Sequence, residues 1–102
     1  MTNPKNNQQL QELIILANND LGLNIALPAN PEYIDLQNLL EKAVAELIDH
    51  DFERLLQALY RIDVNENKVK EAFASPSTVA KTLAELILER ELQKIETREK
   101  YK

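Results

Sequence analysis

The chain is 102 residues long, 44% apolar and 28% charged, with a formal net charge of -5. This length makes one domain, large enough to bury a single core without staples. The chain has no cysteine, which excludes a disulfide framework and thiol chemistry and fits a cytoplasmic home.

The acidic balance weighs against nucleic acid, whose phosphates attract a basic surface. No apolar run approaches the ~20 residues of a membrane span, and the opening MTNPKNNQQL lacks the pattern of a signal peptide. One glycine and four prolines leave few turns, and helix-forming residues fill the rest. The composition predicts an all-α fold: a single domain over residues 1–102, built as a small bundle of four to five helices, with fraying at residues 1–4 and about 97–102.

The first helix is expected to open after Asn3-Pro4, with Asn as cap and Pro in the first turn. Leu10, Leu13, Ile14, Ala17 and Leu21 mark one face. Ile15 and Leu16 make that helix apolar nearly all round, so it is either deeply buried or touches a second surface. Gly22 supplies the stop. From Leu21 to Leu27, apolar residues alternate with small or polar ones. A lone strand has no sheet to join, so this reads as an extended loop pinned onto the helices.

Asn30-Pro31-Glu32 carries cap, proline and early acid for a second helix. Leu36, Leu39, Leu40, Ala43, Val44, Leu47 and Ile48 form its buried side. Asp49-His50-Asp51 interrupts the pattern without Gly or Pro, so it does not decide between one bent rod and two. As a metal site the triplet is poor: neighbours on a helix diverge, and a metal wants three or four convergent ligands. Asp51 serves better as the cap of a third helix, with Arg54 at the capping-box position.

In that third helix Phe52, Leu55, Leu56 and Leu59 recur at steps of three and four, widened by Tyr60 and Ile62. The stripe is the strongest in the chain, and the other helices are expected to be laid against it, so that Leu55→Ala and Leu56→Ala both destabilise. Asp63-Val64-Asn65-Glu66-Asn67 opens like a calcium loop, but Lys68 stands where Gly makes the turn and Ala74 where a bidentate Glu binds. Asp63 or Asn65 instead caps a short fourth helix through Ala74, with Val69, Ala72 and Phe73 on its apolar side.

Ser75-Pro76 opens the last helix by the same logic. Val79, Leu83, Leu86, Ile87 and Ile95 are expected to face inward, and an apolar edge continues through Leu92. From Pro76 to Glu99 such a helix would be about 36 Å long, against a radius of gyration of ~13 Å for a domain of this size. It is therefore expected to protrude partly, and Leu88, Leu92 and Ile95 become the expected interface with a protein partner or a second copy.

No nucleophile–base constellation, phosphate loop or convergent ligand set occurs, so the sequence points away from an enzyme and implies no cofactor, metal or small-molecule ligand. The leading expectation is a protein–protein interaction or self-association module. The alternative is a helix-turn-helix over residues 65–90, with Ser77, Thr78, Lys81 and Thr82 opening the reading helix. Glu85 and Glu89 follow them, and the basic C-terminal residues Arg90, Lys94, Arg98 and Lys100 are interleaved with acids.

The stretch F-x-x-L-L-x-x-L-Y-R-I-D-V-x-E-x-K at Phe52–Lys68, with E-R-x-L-Q-K at Glu89–Lys94, resembles a group of short uncharacterised bacterial helical proteins. The resemblance covers about the C-terminal half and implies no activity. It directs attention to the polar corner Tyr60, Arg61 and Asp63. There Arg61 either holds Asp63 or a neighbouring helix end, or clamps a carboxylate of a ligand or partner.

Overall fold

In the computed structural model, which describes residue 4 and residues 6–101, five helices and no strand occur among the described residues. They are α1 (Asn7–Leu21), α2 (Tyr33–His50), α3 (Phe52–Ile62), α4 (Glu66–Phe73) and α5 (Val79–Lys100). The all-α bundle is as the composition predicts. Its organising element, however, is α5, which packs against each of the other four helices.

The 22 residues of α5 span about 33 Å at 1.5 Å per residue. The whole molecule measures 36 × 30 × 23 Å, so α5 traverses it rather than protruding. Leu83, Ala84, Ile87, Leu88, Leu92 and Ile95 are all buried. Successive pairs at steps of one and three make a stripe wide enough to need cover on more than one side. Leu88, Leu92 and Ile95, expected as an interface, are thus core residues, a correction that follows from α5 being packed by all four other helices. Gln9 donates to both Glu99 carboxylate oxygens at 3.3 and 3.1 Å, and Arg98 pairs with Glu12 at 3.8 Å. These contacts join the start of α1 to the end of α5, so the two helices run antiparallel.

The helix ends follow local hydrogen-bond demands. Asn6 caps α1, its side chain accepting from the Gln9 N–H at 2.9 Å. The helix thus starts later than Asn3-Pro4 would place it, and Asn3 lies outside the described residues. Gly22 ends α1 in the left-handed region at φ 66, while the Leu23 N–H reaches back to Asn18 O at 2.9 Å. Asn18 also makes two bonds to one residue: its amide donates to Ile25 O at 3.0 Å and accepts from the Ile25 N–H at 2.9 Å. This clamp holds residues 23–27 extended, with Leu23, Ile25 and Leu27 turned toward the core.

Asn30 turns the chain at φ 52, and α2 is opened by Glu32, whose N–H donates to Asp35 Oδ2 at 2.8 Å. Asp51 separates α2 from α3. It sits at φ -154, ψ 62, and its side chain accepts from the Arg54 N–H at 3.4 Å and pairs with the Arg54 guanidinium at 3.3 Å. A cap carboxylate thus makes the break that neither Gly nor Pro could. At the end of α3, Asp63 takes a left-handed conformation (φ 68, ψ 48), with Val64 N–H to Leu59 O at 3.2 Å and Asp63 N–H to Tyr60 O at 3.1 Å. This is the Schellman pattern with Asp in place of Gly. Asn65 then caps α4 through the Lys68 N–H at 3.1 Å. Ser75–Thr78 form a turn, so α5 begins at Val79 rather than Pro76.

On α3 the structure divides the expected stripe. Leu55, Ala58, Leu59 and Ile62 are buried, whereas Phe52, Leu56 and Tyr60 are exposed. The two rows lie about 110° apart round the helix, at 3.6 residues per turn, and a helix docked by one side buries only one of them. The expectation for Leu56→Ala is therefore reversed. Leu92→Ala should cost about 2–5 kcal/mol by loss of buried contacts and cavity formation, and Leu56→Ala no more than about 1 kcal/mol. Urea unfolding monitored by circular dichroism measures both, and equal losses would contradict this division.

Candidate functional site

The expected polar corner disperses. Tyr60 points into solvent and is 89% exposed. Arg61 Nη1 donates to Asp20 O at 3.0 Å, holding the carbonyl end of α1, which is the helix-end role that its chemistry suggested. Asp63 faces Arg90 of α5 at 3.5 Å. The three residues are neighbours in sequence but serve three directions.

Asp49, His50 and Asp51 are all exposed, and Asp51 is occupied at the start of α3. Among the described residues no three His, Cys, Asp or Glu side chains converge as a metal-binding group. Also among them, no helix is long and apolar enough to cross a membrane. In the helix-turn-helix arrangement the reading helix would be α5. Lys81, Ser77 and Thr78 are exposed at its start, while its middle is the core of the bundle.

The exposed row of α3 creates the most distinctive surface. α3 and α4 diverge from the corner at Asp63–Asn65 and enclose an open groove of about 800 Å³. Phe52, Leu56 and Tyr60 line one wall, Val69 and Phe73 the other, and Val64 closes the corner. Phe52 and Phe73 meet edge to face, with ring centroids 5.6 Å apart and planes at 84°. That geometry favours an aromatic pair by about 0.5–1.5 kcal/mol beyond burial, and it props the two helices apart at their far ends. Asp63, Asn65, Glu66 and Lys70 supply the polar rim. Phe52 is 41% and Leu56 43% exposed, although both sit in regular helix. The sequence signal was present as an excess: α3 carries more apolar residues than a one-sided helix can bury.

A second opening of about 550 Å³ lies between the ends of α1 and α5, near Ile15, Leu16 and Arg98. Its charged groups largely satisfy one another, through the Glu12–Arg98 pair and the Gln9–Glu99 bonds. It is a half-open cleft in which Ile15, Leu16 and Ile95 lie beside these charged groups. Ile15 stands exposed at its edge, which gives the nearly all-round apolar turn of α1 one wet side.

Sequence reasoning did not single out Glu91, the one fully buried acid among the described residues. It lies on the core side of α5. Lys94 Nζ is 3.4 Å from Oε1, yet neither carboxylate oxygen receives a well-formed hydrogen bond among the described residues. Burial first, and then the neighbouring Asp20 carboxyl, push Glu91 up to about 7, against the opposing pull of Lys94. Tyr33 is likewise pushed up to about 12, by burial and then by Glu89 and Glu85.

Comparison with known proteins returned no matching family model, curated protein or solved structure.

The raised Glu91 value has a definite sign. The folded chain binds a proton that the unfolded chain releases, so Glu91 contributes most to stability below its ordinary value of 4.5, and that contribution is lost as pH rises toward about 7. Glu91→Gln, which keeps a neutral group of similar shape, should stabilise the fold at pH ~8 by about 1–3 kcal/mol and leave it nearly unchanged at pH ~4.5. Thermal melts across that range check the prediction, and parallel curves for parent and variant would refute it.

Proposed function

We propose that this chain acts by docking to a protein through the α3–α4 groove and has no catalytic role. The observation that carries the reading is the ordered apolar row Phe52, Leu56 and Tyr60, left in water beside the Phe52–Phe73 pair. Scattered single apolar residues on a surface need no explanation, but a contiguous row bordering a rimmed groove marks an interaction site. An apolar floor with Asp63, Glu66 and Lys70 at its margin has the composition of an interface core and its polar rim. The groove between two helices also fits the mode in which an amphipathic helix lays its apolar face into a hydrophobic channel. The cysteine-free composition supports a cytoplasmic setting.

The Leu88, Leu92 and Ile95 edge no longer enters this reading, because the core consumes it. Pull-down of the tagged chain from its own cell extract, with and without nuclease, tests the role of the groove. Phe52→Glu combined with Leu56→Glu should cut capture of protein by roughly tenfold or more, as charges at the centre of an interface do. Ile34→Glu, an equally exposed site on α2 away from the groove, should leave it intact. Unchanged capture by the double variant would remove the groove from the account. Nucleic acid in the eluate, lost on nuclease treatment, would favour the helix-turn-helix alternative.

A further inference from the structure

The surroundings of Glu91 oppose its ordinary charge in two ways. It is fully buried, and neither carboxylate oxygen accepts a well-formed hydrogen bond among the described residues. A carboxyl so placed is tolerated as the neutral acid, because a buried charge without donors is costly. The antiparallel register of α1 on α5 supplies the second opposition. Gln9 meets Glu99 and Glu12 meets Arg98. The same register, carried along both helices, sets the half-buried Asp20 against the turn that holds Glu91. The last turn of α1 carries no basic residue, so its carbonyl end adds partial negative charge beside the Asp20 side chain.

The charged groups around Glu91 come from several elements and act unequally. Burial and then Asp20 of α1 raise its proton affinity, and Lys94, on its own helix at 3.4 Å, lowers it. The loop 22–27 brings no ionisable side chain. From α3, Arg61 is committed to the Asp20 carbonyl, Asp63 pairs with Arg90, and the Arg54 guanidinium lies by Gly22. The buried residues of α2 are all apolar, and its Tyr33 lies by Glu85 and Glu89. α4 buries only Ala72, and its Lys68 shares a small cleft with Glu89 and Arg90.

The repulsion is therefore directed. A charge on Glu91 repels Asp20 and the carbonyl end of α1, while Lys94 attracts it without holding α1 in place. That end is anchored by Ala17 and Leu21 and by one exposed hydrogen bond from Arg61. The Asn18–Ile25 clamp lies within the segment and moves with it. α2, by contrast, is seated by Leu36, Leu40, Val44 and Leu47. Local opening takes the weaker seam.

We propose that the last turn of α1 and the loop to Leu27 form a pH-sensitive latch on α5. Loss of the Glu91 proton to solvent releases that segment while the rest of the bundle stays folded. Opening lets the carboxylate reach water, so the open state favours the ionised acid and the closed state the neutral one.

Amide hydrogen exchange of the full chain tests the latch. The reporters are the N–H groups of Gly22 and Leu23, which donate to Asn18 O, and of Ile25, which donates to Asn18 Oδ1. Closed and open forms differ in proton affinity between pH 4.5, the ordinary value, and about 7. Across that window the protection of these amides should fall by up to about tenfold per pH unit, then level off. Glu91→Gln should remove the slope. Asp20→Asn, at a half-buried site, should keep the fold and make the protection level off at a lower pH. Val69 and Ala74, bonded within and at the end of α4, should respond to pH alike in parent and Glu91→Gln.

A slope that persists in Glu91→Gln, a slope absent from the parent, or an Asp20→Asn profile identical to the parent's would each overturn the latch. So would protection at Gly22, Leu23 and Ile25 equal to that of the slowest amides from Leu83 to Leu92, because only unfolding of the whole chain would then release them.

Discussion

Burial of α5 along most of its length is the condition that the other helices satisfy. A helix whose apolar positions run as pairs from Leu83 to Ile95 cannot be covered from one side. α2 and α1 flank it, and α3 and α4 fill what remains. Because α1 reaches the far end through Gln9 and Glu12, the charged stretch beyond Leu92 is tied to the bundle. Because α3 takes a smaller share of α5, only its Leu55, Leu59 and Ile62 side is consumed. The surplus row on α3 is thus a consequence of how α5 is shared, and it is left exposed along the α3–α4 groove.

The same packing explains the placement of the polar groups. Asn18 closes a loop that carries three apolar residues toward the core, and a side-chain amide is suited to this because it donates and accepts at once. Arg61 satisfies a carbonyl at the end of α1 from across the bundle. Glu91 lies nearby, where α1 ends against α5, and it stays buried with Asp20 and Lys94 as its charged neighbours. Burying a carboxyl is expensive unless it is neutral or well paired. A protonated Glu91 is the cheaper solution, and it makes the stability of the fold depend on pH.

Much of this architecture was legible in the residues. The all-helical composition, Gly22 as a stop, Asp51 and Asn65 as caps and the inward alternation of Leu23, Ile25 and Leu27 all appear as the chain order suggests. These are local effects, set by one or two hydrogen bonds. What could not be read was which of two equally periodic rows on α3 faces inward. Leu55 with Leu59 and Phe52 with Leu56 both satisfy helical spacing, and only the position of α5 decides between them. For the same reason Leu88 and Leu92 looked like a spare edge: α5 is covered by α1 and α2, helices far earlier in the chain. The residues expected at an interface are therefore consumed by the core, while those around Tyr60 part toward solvent, α1 and α5.

The most direct test of this account is a set of amide ¹H–¹⁵N spectra of the labelled chain with and without a soluble paramagnetic probe. If α5 is the shared core and the outer row of α3 stands in water, resonances of Phe52, Leu56 and Tyr60 broaden, while those of Leu83 to Ile95 stay sharp. If the broadening instead gathers on Leu88, Leu92 and Ile95 and spares Phe52, Leu56 and Tyr60, then the surface has been assigned to the wrong helix and the account fails.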